Sequence, residues 1–364
     1  MKSLLEKTEA FYERHERHIS SFALIAGFIF DNLTVQRIDL PFDHIIIIAY
    51  LVISGGSIAL INYYKEHPPQ KDFSVGLENF LPSLIQFAFG GLFSVFFVFY
   101  VRSATLSSSW PFLVMLLVLL VGNEFFRNYY QRLTFQVAVY YIAIFSFSIL
   151  ITPVLLKKIN AGVFLLSGLL SIIFLYFFTR ILFIVVSKRY ESSRVDINRL
   201  VAVIFLVVNI LYFTNLIPPI PLAMKNSGAY HSVAKVGDNY VVVSERGRWY
   251  ESLPFIFPKV LHFRAGESVY AFSAIFAPTD LSTGIIHDWQ YFDTVTDKWV
   301  STTKVAFDIH GGRGEGYRIF SKKDNVFSGK WRVDVKTKSG QIIGRIRFNV
   351  ELGLGSVVLI ESSI

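Results

Sequence analysis

Six charged residues stand in or beside long apolar runs of this chain: Asp31, Arg37 and Asp39 around one run, and Glu124, Arg127 and Arg180 near others. A charge placed in hydrocarbon costs roughly a few kcal/mol or more unless it is paired or hydrated. Such residues therefore either clamp helices together as ion pairs or line a path for protons or ions. If the runs are helices, Glu124 and Arg180 lie at similar depth, and Arg127 sits one turn beyond Glu124 on the same face as a competing partner. An ion-pair clamp is the first reading of the set. Glu124 or Asp31 could instead act as a base toward a lipid-linked substrate.

The last third of the chain offers other candidates. Gly311-Gly312-Arg313-Gly314-Glu315-Gly316 looks superficially like a phosphate cradle. It lacks both the Gly-Lys-Ser/Thr ending of a P-loop and the strand–helix context of a dinucleotide site. A flexible hairpin loop is the first reading; an anion loop assisted by Arg313 and Arg318 is the second. His231, His262, His287 and His310, with Asp288 and Asp308 close by, match no metal-ligand spacing. His15 and His18 belong to an amphipathic stretch, residues 1–18, with charges of both signs. Trp249, Trp289 and Trp299, with Tyr250 and Tyr291, form either a sandwich core or a stacking platform for a sugar. No Gly-x-Ser-x-Gly elbow occurs, and the chain has no cysteine, so Cys nucleophiles, thiolate metal sites and disulfides are excluded. No cofactor is implied.

The elements that must hold these residues follow from composition. Of 364 residues, 53% are hydrophobic and 17% charged, and mean hydropathy is +0.47. A soluble domain carries about 25% charged residues. Residues 44–64, 79–101, 103–123, 133–156, 159–179 and 200–224 lack Asp, Glu, Lys and Arg. Each reaches the roughly 20 residues needed to cross hydrocarbon. A shorter run, 18–30, is the expected first span and an uncleaved signal-anchor, giving seven. Lys and Arg concentrate in alternate loops, twelve against four, which places the N-terminus in the cytoplasm and the C-terminal part outside. Ser54-Gly55-Gly56-Ser57 reads as a close helix–helix contact.

Ile217-Pro218-Pro219-Ile220-Pro221 ends the last helix, and a polar linker is expected around Lys225–Gly228. Strands are expected at Tyr240–Ser244, Val269–Phe276, Asp288–Phe292, Thr302–Ile309, Gly316–Ser321, Lys330–Lys336 and Ile342–Val350. In the last pair Trp331, Val333 and Val335 alternate with Arg332, Asp334 and Lys336. Ile346, Phe348 and Val350 then share one face, and Arg345 and Arg347 the other. The expected architecture is a membrane helical bundle over 1–225, followed by an Ig-like antiparallel β-sandwich over 226–364.

Several segments carry a resemblance. His287-Asp288-Trp289, Gly311 through Arg318, and Gly329-Lys330-Trp331-Arg332-Val333 with Gly340 and Phe348 resemble a bacterial domain-of-unknown-function family. Gly27 through Asp31 with Arg37-Ile38-Asp39, and Asn123 through Arg127, resemble the helical region that accompanies it. The resemblance implies a small β-domain outside a multi-pass membrane region and implies no activity. The expected function is a non-enzymatic inner-membrane protein whose periplasmic β-domain binds an envelope protein or glycan. A solute or ion transporter is the alternative, and a membrane-embedded transferase the third. The lipid bilayer is an expected partner, nucleic acid is not, and oligomeric state stays open.

Overall fold

The computed structural model describes residues 29, 41–68, 72–103, 106–125, 129–237, 239–245, 259–264, 266–353 and 357–364. Among them are six long helices: α1 Pro41–Glu66, α2 Asp72–Ser103, α3 Leu106–Phe125, α4 Leu133–Leu156, α5 Ala161–Val185 and α6 Ser187–Phe213. Five contain segments long and apolar enough to cross a membrane, while α3 carries a shorter apolar stretch, Ser109–Asn123. The described helices therefore number six rather than the expected seven. The run 18–30 apart from residue 29, like Asp31, Arg37 and Asp39, lies outside the described residues.

One expected span is corrected. The run 200–224 is helical only to Phe213, and α6 starts earlier, at Ser187. Asn215 takes a left-handed φ of 60°, and the prolines that follow cannot continue a helix. Lys188, Arg189 and Arg194 are carried on the first turns of α6 because exposed charges do not interrupt a helix whose i,i+4 backbone bonds are intact.

The described residues form two compact units. One comprises Met1–Val101, Pro111–Thr152 and Gly162–Thr214; the other comprises Arg102–Trp110, Pro153–Ala161 and Asn215–Ile364. In the helical unit, Gly55 is a point of close approach, since a Cβ there would meet the Tyr140 hydroxyl at 2.7 Å. Gly91 plays the same part for Tyr50, whose ring lies 2.5 Å from where a Cβ would stand. Small residues let backbones and aromatic rings approach where lipid offers no hydrophobic drive.

The second unit is built of strands: β1 Ala223–Tyr230, β2 Ser232–Val236, β3 Asn239–Glu245, β4 Lys259–Phe263, β5 Val269–Phe276, β6 Ser282–Asp293, β7 Lys298–His310, β8 Tyr317–Lys323, β9 Gly329–Thr337, β10 Ile342–Leu352 and β11 Leu359–Ser363. Three sheets result, ordered β1-β5-β8, β4-β10-β9-β6-β7 and β11-β3-β2. Pairing is antiparallel except between β4 and β10. The expected linker at Lys225–Gly228 is instead strand: β1 pairs with β5 from Ala223↔Phe276 to Tyr230↔Tyr270. Its polar Lys-Asn-Ser-Gly sequence hides the strand because hydrogen bonding to β5, not an apolar face, defines it.

The sandwich has three layers. Val269, Ala271 and Ile275 of β5 pack with Trp289, Trp331, Val333, Val335, Ile346, Phe348 and Val350 of the five-stranded sheet. Phe272 and Ala274 on the other face of β5 pack with Val233 and Val242 of the small sheet. A strand covered on both faces reads as a near-continuous apolar run, and Val-Tyr-Ala-Phe-Ser-Ala-Ile-Phe does so.

Candidate functional site

The outer face of the five-stranded sheet turns its strand register into a grid of side chains. Period-two alternation sends Trp331, Val333 and Val335 inward, so Lys330, Arg332, Asp334 and Lys336 point outward. Cross-strand pairing aligns Arg345, Asp334, Asp288 and Lys304 in one row. The next row is Arg347, Arg332, Gln290 and Ser301. Beyond it Asn349 pairs with Lys330, and Phe292 with Trp299. Cations outnumber carboxylates on this face, and the two carboxylates at its centre are buried, whereas Asp308 and Glu351 towards its margins are exposed. Asp288 is 3% exposed and Asp334 1%.

Those two carboxylates organise the cations above them. Asp288 accepts from Lys336 Nζ at 2.7 Å, Gln290 Nε2 at 2.7 Å and Ser301 Oγ at 2.5 Å. Burial alone would raise the Asp288 carboxyl; the bonds from Lys336, Ser301 and Gln290 outweigh it and hold the group below the usual carboxylate range. Asp334 accepts from Arg345 Nε at 3.0 Å and lies 3.5 Å from both Arg332 Nε and Lys336 Nζ. Two carboxylates directly opposite on neighbouring strands would repel. Lys336, touching both, relieves that.

Arg332 is fixed from two sides. Its Nε donates to Gln290 Oε1 at 2.8 Å, and its guanidinium carbon stands 4.3 Å from the Trp299 ring centroid. Trp299 in turn meets Phe292 edge-on at 5.3 Å, and Lys330 Nζ lies 5.5 Å from the Phe292 ring. Burial pushes the Arg332 guanidinium below its ordinary value; Arg345 and Arg347 lower it further, and Asp334 and Asp288 oppose them.

The inner face holds a different group. His287 is fully buried, with Nε2 2.8 Å from Ser273 Oγ and Nδ1 2.8 Å from Ser321 Oγ. Trp289 Nε1 donates to the same Ser321 Oγ at 2.9 Å. Burial pushes the imidazole down to about 4, so the ring is neutral at pH 7. Ser273 is 0% and Ser321 4% exposed, and no substrate reaches a hydroxyl sealed that deeply. The group holds the two sheets together. His287 and Asp288 are neighbours in sequence but face opposite sides of the sheet and form no pair.

At the β4 edge, Glu245 gathers His231 Nε2 at 2.9 Å, His262 Nδ1 at 2.9 Å and the His262 backbone N–H at 2.5 Å. Burial would raise its carboxyl, and the bonds from His262 and His231 hold it low. Among the described residues no cluster of three or more His, Asp or Glu is arranged to hold a metal ion.

The residues singled out from sequence scatter. Trp289 is fully buried beside Phe348 and is core rather than ligand surface. Trp299 does lie on the outer sheet face, but Arg332 occupies one side of its ring. Arg313 stacks on Tyr317 at 5.2 Å, away from both tryptophans, and Arg318 is on β8. The glycine loop is no anion cradle: the N–H groups of Gly311, Gly312 and Gly316 donate to Leu281, Ala277 and Arg313 carbonyls. A Cβ at Gly311 would sit 1.7 Å from the Pro278 carbonyl oxygen, which requires glycine there. Trp249 and Tyr250 lie outside the described residues.

Among the intramembrane charges, Arg127 and the Glu124 side chain also lie outside the described residues. Arg180 on α5 is exposed and donates Nε to the Tyr176 hydroxyl at 2.9 Å. The described interior of the helical unit is tied by neutral groups instead. Asn62 Nδ2 of α1 donates to Gln136 Oε1 of α4 at 2.6 Å, and the Gln136 amide donates to the Tyr130 carbonyl. The Tyr130 hydroxyl donates to Asn123 Oδ1 of α3. Asn123 Nδ2 donates to the Gln86 carbonyl of α2 at 2.8 Å. A search for charges passes over this line, whose signal is amides within apolar runs.

Arg332, Lys336, Arg345 and Arg347 were legible as a wet face, but their assembly with Asp288, Gln290 and Trp299 depends on register across four strands.

No curated protein matches the chain. Among solved structures, a Pseudomonas fluorescens alkylpurine DNA glycosylase AlkC bound to DNA containing an abasic site analog aligns over 85% of this chain and 99% of that chain. Identity is 11% and the TM-score 0.23, too low to carry a likeness of fold. The part that matches a family model runs from β6 into β10, and so includes β6, β7, β9 and β10 of the cationic face together with β8 of the neighbouring sheet. Residues 282–350 match the family described as "Protein of unknown function (DUF2914)", and the C-terminal β-unit carries that domain.

Proposed function

We propose that the chain is a non-enzymatic inner-membrane protein whose β-unit lies in the periplasm and binds an envelope partner through the outer face of the five-stranded sheet. The observation that carries this reading is the prearranged set of Arg332, Trp299, Arg345 and Lys336 over buried Asp288 and Asp334. A face built only for solvation has no need to fix a guanidinium from two sides. The five apolar helices supply the anchor, and α5 and α6 expose Leu169, Phe174, Phe177, Ile184, Val203 and Leu206, side chains a bilayer would cover. The segments after α1 and α3 and the start of α6 carry Lys71, Arg127, Arg132, Lys188, Arg189 and Arg194 on one side, against Arg102, Lys157 and Lys158 on the other. With α1 to α6 alternating across the bilayer, that bias favours Asn215–Ile364 on the opposite, outer side.

A photo-crosslinking residue in place of Asn349, used in intact cells, tests the surface. Capture of the same envelope component that is lost when Arg332 is replaced supports the reading; no capture from this face removes it. Alkaline phosphatase fused after Val350 should be active. An inactive fusion, with a cytoplasmic reporter active at the same point, overturns the topology.

A further inference from the structure

The central row of the cationic face contains an unresolved conflict of charge. Arg332 and Arg347 are directly paired across β9 and β10, and like charges directly opposite are destabilising. The carboxylates nearby offset them only in part. Asp288 is engaged by Lys336, Gln290 and Ser301, and Asp334 by Arg345 Nε, with Arg332 and Lys336 at 3.5 Å. Both acids are sealed beneath the cations. What faces outward is mostly basic: Lys304 and Lys330, in the rows on either side of Arg332 and Arg347, are both exposed. Lys330 and Arg332 along β9, and Arg345 and Arg347 along β10, stand two residues apart, a spacing of about 6.6–6.8 Å.

Resting on the reading above, we infer that this face is the receptor for an anionic sugar chain, whose carboxylate or phosphate groups sit on the Arg332–Arg347 row. Planar oxyanions are the groups a guanidinium fork binds in two-point fashion. Arg332 meets the ligand already oriented, since Gln290 and Trp299 hold its Nε edge and one face, so little ordering entropy is left to lose on binding. The chemistry argues against a lipid surface: Phe292 and Trp299 pack on each other and on Lys330 and Arg332 instead of protruding as apolar anchors. It argues against an added peptide strand too, because β9 and β10, which carry Arg332 and Arg347, have neighbours on both sides, and a strand added at the β7 edge would be separated from Arg332 by β6 and β7.

The test uses the full chain in detergent micelles with polygalacturonate as a carboxylated sugar chain, neutral dextran of equal length, polyglutamate, and vesicles containing phosphatidylglycerol. Polygalacturonate should bind with an affinity that falls as salt rises, and dextran should not bind. Arg332→Gln and Arg347→Gln should each weaken binding about tenfold or more. Arg332→Lys should not restore it, because an ammonium has no fork. An unchanged thermal melt of each variant shows that the fold survives. Arg313→Gln should bind as the parent does. Equal or tighter binding of polyglutamate, binding of vesicles alone, no binding at all, or indifference to both arginine variants each overturns the inference. If crosslinking from position 349 still captures an Arg332-dependent partner while every anionic sugar chain fails, the inference falls and the proposed function stands. If both fail, both fall.

Discussion

The two units solve the same problem, a polar group taken out of water, in opposite ways. In the helical unit the buried line Asn62–Gln136–Tyr130–Asn123 is made of neutral amides and a phenol. On the outer sheet face of the β-unit the buried groups are ions, with Asp334 shared among Arg345, Arg332 and Lys336 and Asp288 held by Lys336, while the sealed His287–Ser273–Ser321 group between the sheets is neutral like the helical line. An amide in low dielectric asks only for a hydrogen bond, whereas an ion also asks for a counter-charge and some remaining access to water. The sheet face provides that access, because the cations above the carboxylates keep 15–22% of their side-chain surface exposed. A helix interior facing apolar neighbours does not. Ions are thus buried where water stays within reach of their partners, and neutral groups where it does not.

The comparison can be broken or sharpened by measurement. The largest effect belongs to the apolar core beneath the ionic face. Trp331→Ala should cost about 3–5 kcal/mol in denaturant unfolding of the β-unit, since its ring is 1% exposed between Tyr291 and Phe327. A cost near zero would mean that the inner face is not the supporting layer.

Next comes a pH effect confined to the β-unit. His287 ordinarily titrates near 6.5 and is depressed to about 4, so between those values the unfolded chain binds a proton that the fold does not. Stability is complete above pH 6.5 and is lost as pH falls, by about 3 kcal/mol at pH 4. Asp288 and Glu245, both held low, add their own losses only below the ordinary carboxylate values. Melting followed from pH 7 to pH 4 checks this, and the slope should vanish in His287→Gln. A slope that persists there would assign the titration elsewhere.

Removing one member of the ion cluster should cost somewhat less. Asp334→Ala leaves Arg345 and Arg332 without their shared carboxylate, a loss of about 2–3 kcal/mol once the partial exposure of both arginines is allowed for. Replacing Asp288 and Lys336 together by Leu should cost less than replacing either alone, because the lone buried charge is the expensive state. Equal costs would show that the pair acts only through packing.

The smallest effect is expected in the helices. Asn62→Leu or Gln136→Leu should destabilise by about 1 kcal/mol, as interhelical hydrogen bonds in bilayers do, and the double variant should show positive coupling. A loss of the Asp334 size would erase the contrast between the units.

By itself the sequence determined what depends on runs and periods. The apolar runs of α1, α2, α4 and α5 are long enough to cross a membrane, and their lengths alone mark these segments as helices. The alternation of Trp331, Val333 and Val335 with Arg332, Asp334 and Lys336 fixed which side of β9 is dry. What only the tertiary structure decided is which distant residues meet. The amide line joins four helices, and each amide alone is an ordinary interruption of an apolar run. Ala223–Tyr230 becomes a strand because β5 offers it hydrogen bonds, and Trp289 becomes core because its face of β6 packs against the β1-β5-β8 sheet. The row of Arg347, Arg332, Gln290 and Ser301 exists only in one register. A slip of one residue would send each of these side chains to the opposite face, and that choice is made by the packing of whole sheets rather than by any local pattern.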